Sequence, residues 1–297
     1  MIDVGAGVAR ILSIAVTQMA CSWDRDANIQ RAAAMVEEAA GQGAQVVLLQ
    51  ELFETPYFCI DKNKAFLKEA TTVAANPAIQ AMRVLARKLN VVIPVSFFER
   101  DGDRHFNSLA MIDADGEILG VYRKSHIPDF PDYEEAFYFE PGDTGFMVFE
   151  TKFARLGAAI CWDQWFPEAA RAMALKGAEV LLYPTAIGWP IEPTQSRFKN
   201  SKVHWQQVMQ GHAGANIMIL AASNRIGAEH GISGQTQFYG GSLIVDHIGT
   251  KAAEADEATS QIMVKSFDMD EIALYRKDWG IFRTRRPDLY APLCLAE

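Results

Sequence analysis

The sequence predicts an α/β protein built on mixed sheets, and three observations predict it. Continuous apolar runs such as Val46–Leu49 and Val180–Tyr183 suit strands buried on both faces. Segments of helical period lie between them, giving early strand–helix units. The middle of the chain instead carries turn dipeptides between alternating runs, the mark of hairpins. Two sheets with helices outside fit the count, and a single doubly wound sheet fits the periodicity equally well.

Each element has its own reason. Ile11–Thr17 reads as a first strand. Asp26–Ala40 is helical, with Ile29, Ala33, Val36 and Ala40 on one face and Gly41 and Gly43 as stops. Pro77 opens a helix through Leu89, since proline suits a first turn. Val91–Phe98 and His105–Ile112 flank Asp101-Gly102, a hairpin signal, and Asp115-Gly116 turns the chain into Glu117–Arg123. Strands follow at Phe146–Phe149 and Arg155–Ile160, then a helix at Pro167–Lys176. Strand Val180–Tyr183, helix Lys202–Ala215 and strand Ile217–Ala222 come next, and strands near Ser242–Val245 and Gln261–Phe267 close the body. Pro184–Asn200, with three prolines, reads as an ordered loop over a site. Gly227 and the stretch Gly231–Gly241 read as a flexible loop.

The 297 residues are 49% hydrophobic and 22% charged, enough for a sizeable core and too apolar for disorder. No linker or repeat divides them, so one domain is expected over residues 10–285 with short tails. No apolar run approaches the roughly 20 residues of a membrane span, and no membrane partner is expected. The first strand has Asp3 rather than basic residues upstream, unlike a signal peptide. A net charge of −9 argues against a nucleic-acid partner and suits a small cationic one. Cys21, Cys59, Cys161 and Cys294 show no CxxC spacing, so neither a disulfide framework nor zinc is expected, and the reducing cytoplasm is the default location. Without HExxH or a glycine-rich phosphate motif, no metal and no cofactor are expected.

Three reactive side chains share one feature. Glu51, Lys124 and Cys161 each follow an apolar run, at the carboxyl end of an expected strand, where sites form in α/β sheets. Together they would supply a base, a cation and a nucleophile. The Lys124 cation would favour a Cys161 thiolate and then hold a developing oxyanion, with the Trp162 N–H as second donor. Glu51 would take the thiol proton and pass it to a leaving amine. Taken singly, each has a plainer reading: a small core cysteine, an edge lysine, a helix-capping glutamate. A cysteine–histidine pair drawing on His126, His204 or His212 is the rival arrangement.

The segments Gln50-Glu51-Leu52-Phe53, Tyr122–Pro128 (YRKSHIP) and Cys161–Glu168 (CWDQWFPE) resemble the nitrilase, or carbon–nitrogen hydrolase, superfamily. Longer blocks at Gln50–Cys59, Phe137–Phe146, Tyr183–Gly188, Val208–Asn216, Ala222–Gly227 and Trp279–Tyr290 look like its N-carbamoylputrescine amidase branch. The resemblance implies a four-layer αββα sandwich of two mixed sheets with outer helices. It implies the catalytic triad Glu51, Lys124 and Cys161. It also implies a second glutamate at Glu135, which is followed by Ala136 where that branch carries a basic residue; this leaves Glu134 as the neighbouring choice. It further implies a homo-oligomer built from dimers, and hydrolysis of a small cationic ureido compound, N-carbamoylputrescine, through a carbamoyl-cysteine. For such a substrate the local loops offer Tyr57, Phe130, Tyr133, Trp162 and Trp189 to line a four-carbon chain, and Asp129, Asp132, Glu134 and Glu192 to meet its ammonium group. In the related branch acting on D-amino acid derivatives, adjacent arginines follow the cysteine. The matching positions here look like Gln164 and Trp165, which removes a carboxylate clamp. The alternative, an N-carbamoyl amino acid or other amide as substrate, requires a basic partner, and Arg225 is the residue to inspect. A silent scaffold is disfavoured by the intact triad.

Overall fold

The computed structural model describes residues 9–190 and 201–295. Strand β1 (Ile11–Gln18) is followed by helix α1 (Arg25–Gly41), which starts where the Asp24 side chain accepts the Ala27 N–H. Strand β2 (Val46–Leu48) pairs in parallel with β1. Helix α2 (Pro77–Leu89) begins at its proline under an Asn76 cap and ends at Asn90 in the left-handed conformation. Then come β3 (Ile93–Asp101), β4 (Arg104–Ile112) and β5 (Ile118–Arg123), joined antiparallel. Asp101 pairs with Arg104, so the hairpin turn is Gly102-Asp103, one residue later than expected. Gly102 takes φ +62°, which a two-residue turn demands at that position.

The second half holds β6 (Met147–Glu150), β7 (Arg155–Ala158), α3 (Pro167–Leu175), β8 (Val180–Pro184), β9 (Gly188–Pro190) and α4 (Ser201–Asn216). It continues through β10 (Ile219–Ser223), β11 (Ile226–His230), β12 (Gln235–Tyr239), β13 (Leu243–Val245), β14 (Lys251–Glu254), β15 (Gln261–Asp268) and α5 (Met269–Trp279).

Two layers of sheet result. One is β15-β1-β2 continued through the Val46–Val92 bridge into β3-β4-β5; the other is the six-stranded β14-β13-β10-β8-β7-β6. Side chains alternate along β1: Ile14 and Val16 face the second sheet, while Ala15 faces α1 and α2. Helices α3 and α4 cover the far face of the second sheet through Met173, Trp205 and Met209. Full burial of each such methionine side chain contributes about 1.5–3 kcal/mol. This is the αββα sandwich, and the doubly wound alternative is set aside because all strands but β9, β11 and β12, which form a small sheet of their own, sort into two facing layers.

The Gly231–Gly241 loop expectation is corrected. Strands β11 and β12 form a hairpin there, and β12 also pairs with β9. Burial of Ile226, Phe238 and Tyr239 outweighs the turn-rich composition. Helix α5 was also absent from the sequence reading, although Asp268 caps it by accepting the Asp270 and Glu271 N–H groups. Among the described residues, no helix is long and apolar enough to cross a membrane.

Candidate active site

Glu51, Lys124 and Cys161 each stand within three residues of the carboxyl end of a strand, β2, β5 and β7 respectively. All three side chains are buried, as is Glu135 in a short 3-10 turn over Glu135–Phe137. Lys124 Nζ lies 3.0 Å from Glu51 Oε1 and 2.8 and 2.7 Å from Glu135 Oε1 and Oε2. One ammonium group is thus shared by two carboxylates. Glu134 points elsewhere, to Lys62 Nζ at 2.7 Å, so Glu135 is the member of the pair that joins the cluster.

The backbone sets this arrangement. Lys124 N–H donates to Asn107 C=O, and its own C=O accepts the Gly142 N–H, both at 2.8 Å. A Cβ on Gly142 would sit 2.1 Å from Arg123 O, so only glycine permits that approach. Asn107, on β4, donates from Nδ2 to Glu51 Oε1 at 2.7 Å. Tyr57 OH donates to Glu135 Oε1 at 2.5 Å. Burial works against the Lys124 charge, but Glu135 and Glu51 more than reverse it and raise its pKa well above the ordinary lysine value. Glu51 Oε2 has no hydrogen-bond partner among the described residues, so it is the oxygen left to receive a proton.

Cys161 opens a short 3-10 turn over Cys161–Trp165 with φ +41°, a conformation that L residues rarely adopt. Its Sγ is 3.7 Å from Ala186 O. Burial pushes the thiol well above its ordinary pKa, and the Glu51 charge adds to this; the Lys124 ammonium opposes without prevailing. The Lys124 charge acts toward the thiolate and burial acts against it.

The rival histidines are engaged elsewhere. His126 Nδ1 is 2.7 Å from Asp163 Oδ1, and its ring stacks on Phe166 at 3.6 Å. His212 Nε2 is 2.8 Å from Gln164 O, and burial lowers its pKa. His204 packs on Trp165 at the surface. Arg225 is wholly buried: Nη2 donates to Glu51 C=O at 2.7 Å, and Nη1 pairs with Glu229 Oε1 at 2.8 Å. It braces the Glu51 loop and is not placed to clamp a substrate carboxylate.

The residues expected along the substrate chain sit as follows. Tyr57 and Tyr133 rings are 5.7 Å apart, with the Tyr57 hydroxyl turned to Glu135. Tyr133 OH accepts the Gly188 N–H at 2.8 Å, tying the Glu135 segment to β9. Trp162 is half-buried against Phe130, and Trp189 lies 4.8 Å from Tyr239. Glu192 lies outside the described residues. The sequence reading missed Asn107, Asp163 and Glu229. For Asn107 the signal was a polar amide inside a strand run that continues into Leu109–Ile112, and such a group when buried calls for a partner. Among the described residues, no group of three or more His, Cys, Asp or Glu is arranged to hold a metal ion.

A sandwich of this topology with a buried glutamate–lysine–cysteine set defines a thiol hydrolase of carbon–nitrogen bonds. The chain belongs to the carbon-nitrogen hydrolase family, whose model matches residues 13–277. It is 54% identical over 292 residues to the N-carbamoylputrescine amidase of Arabidopsis thaliana, covering 97% of this chain and 96% of that protein. It is 49% identical to the citrullinase of Francisella tularensis, covering 94% and 96%. The crystal structure of a carbon-nitrogen hydrolase from Helicobacter pylori G27 superposes with TM-score 0.89 at 38% identity, covering 96% and 99%.

Proposed function

We propose that this chain is an N-carbamoylputrescine amidase, hydrolysing its substrate to putrescine, carbon dioxide and ammonia. The observation that carries the chemistry is the Lys124 ammonium held between Glu51 and Glu135. The substrate reading rests on the likeness to the plant enzymes.

Glu51 takes the Cys161 proton as the sulfur attacks the ureido carbonyl. Lys124 Nζ and the Trp162 N–H hold the oxyanion that forms. The C–N bond to the amine breaks, Glu51 returns the proton to nitrogen, and putrescine departs. Water, deprotonated by Glu51, then cleaves the carbamoyl thioester and restores the thiol. The released carbamic acid falls to carbon dioxide and ammonia. Glu135 holds Lys124 in place. Assembly from dimers belongs to the same proposal, and sizing by light scattering tests it.

Citrulline is the second reading, favoured by the 49% identity to a citrullinase. It shares the ureido end but adds a carboxylate, and Arg225 is committed to Glu229 and to backbone carbonyls. Ammonia release should be compared for N-carbamoylputrescine, citrulline, N-carbamoyl-β-alanine and glutamine. The expected kcat/KM is highest for N-carbamoylputrescine by about tenfold or more. A higher value for citrulline would transfer the assignment to that reaction.

A further inference from the structure

We infer that Asp163 is a positioning residue that locks the Cys161 turn against the strand end carrying Lys124. The inference rests on Cys161 being the nucleophile. Asp163 is fully buried, and each of its oxygens accepts two hydrogen bonds. Oδ2 takes the Ile160 N–H at 3.0 Å and the Tyr122 hydroxyl at 2.7 Å. Oδ1 takes the His126 N–H at 2.9 Å and His126 Nδ1 at 2.7 Å. Asp163 N–H returns a bond to Ile160 C=O at 3.0 Å, closing a ring around Cys161.

The placement of these partners has a clear consequence. Tyr122 and His126 stand two residues before and two after Lys124. Ile160 and Asp163 enclose Cys161. A single carboxylate therefore ties the chain on both sides of the cation to the chain on both sides of the nucleophile. Strained backbone persists only where its surroundings hold it, and Cys161 at φ +41° is such a case. His126, stacked flat on Phe166, is thereby fixed as a donor to Asp163.

The chemistry of the site selects an acid. Each oxygen faces a backbone N–H, which can only donate. An amide at this position would turn its NH2 group toward one of those donors in either orientation. Asp163→Asn thus breaks the ring without changing its size. Asp163 touches no reacting atom and acts through the geometry of the turn.

The test uses the full chain and the substrate of highest kcat/KM among the four amides above. Asp163→Asn, Tyr122→Phe and Cys161→Ala are compared with the parent for kcat, KM and thermal midpoint. The expected result for Asp163→Asn is a folded protein whose kcat falls about 100-fold, as a misplaced nucleophile costs, with KM within about threefold. Parent-like kcat in folded Asp163→Asn, or kcat and KM worsening together, overturns the inference. If Asp163→Asn does not fold, Tyr122→Phe decides. Loss of one bond to Oδ2 should lower kcat about fivefold at unchanged KM, and an unchanged kcat overturns the inference. Turnover by Cys161→Ala would instead remove the nucleophile reading beneath it.

Discussion

The two sheets equip the site in different ways. The first supplies Glu51, Asn107 and Lys124, a polar cluster completed by Glu135 and held by mutual ion pairing in a dry setting. The second supplies Cys161, a thiol held by backbone conformation and, among the described residues, paired with no ion. Charges on one side are stabilised chiefly by one another, with the Asn107 amide and the Tyr57 hydroxyl as neutral donors, so removing a charge leaves its partners facing the penalty of burial. On the other side the sulfur can be removed with little loss of stability, because no charge depends on it. Stability and activity are thus coupled at the first sheet and separable at the second.

The sharpest test of that contrast is Cys161→Ala. Turnover should fall on the order of 10⁶-fold, as for loss of other enzymic nucleophiles, while stability changes by about 1 kcal/mol or less. Urea unfolding and an ammonia assay read the two quantities separately, and a large stability loss would break the contrast.

Glu51→Gln comes next. Loss of the base should lower kcat about 10²–10⁴-fold. The sign at the thiol runs the other way: the Glu51 charge raises its pKa, so removing that charge lowers it. Iodoacetamide labelling of Cys161 against pH should show the parent rate still climbing above pH 9, the ordinary cysteine value, and the variant curve displaced to lower pH. A displacement to higher pH would contradict the placement of Glu51 against the sulfur.

Lys124→Ala should reduce kcat about 10²–10³-fold through loss of an oxyanion donor. It should also destabilise the fold by about 3–5 kcal/mol, since Glu51 and Glu135 would be left facing each other without their cation. Equal stability of Lys124→Ala and Cys161→Ala proteins would erase the distinction between the two sheets.

Much of this was legible in the residues. Apolar runs marked β2, β8 and β10, and first-turn prolines placed α2 and α3 closely. The reactive residues stood out because each ends such a run. The β11–β12 hairpin was hidden, because its glycines mimic a loop and only burial of Ile226 and Phe238 against the body reveals strands. Arg225 read as a possible substrate clamp because one dimension shows its charge but not its partner, Glu229.

By itself the chain determined most of its elements and the three chemical types at strand ends, since periodicity, first-turn prolines and turn residues act locally. Only tertiary structure decided the protonation logic of the site. Desolvation and the distances among Lys124, Glu51, Glu135 and Cys161 depend on how two sheets pack. Electrostatic energies in a buried cluster follow spatial separation, and Glu51 and Lys124, 73 positions apart in the chain, meet at 3.0 Å.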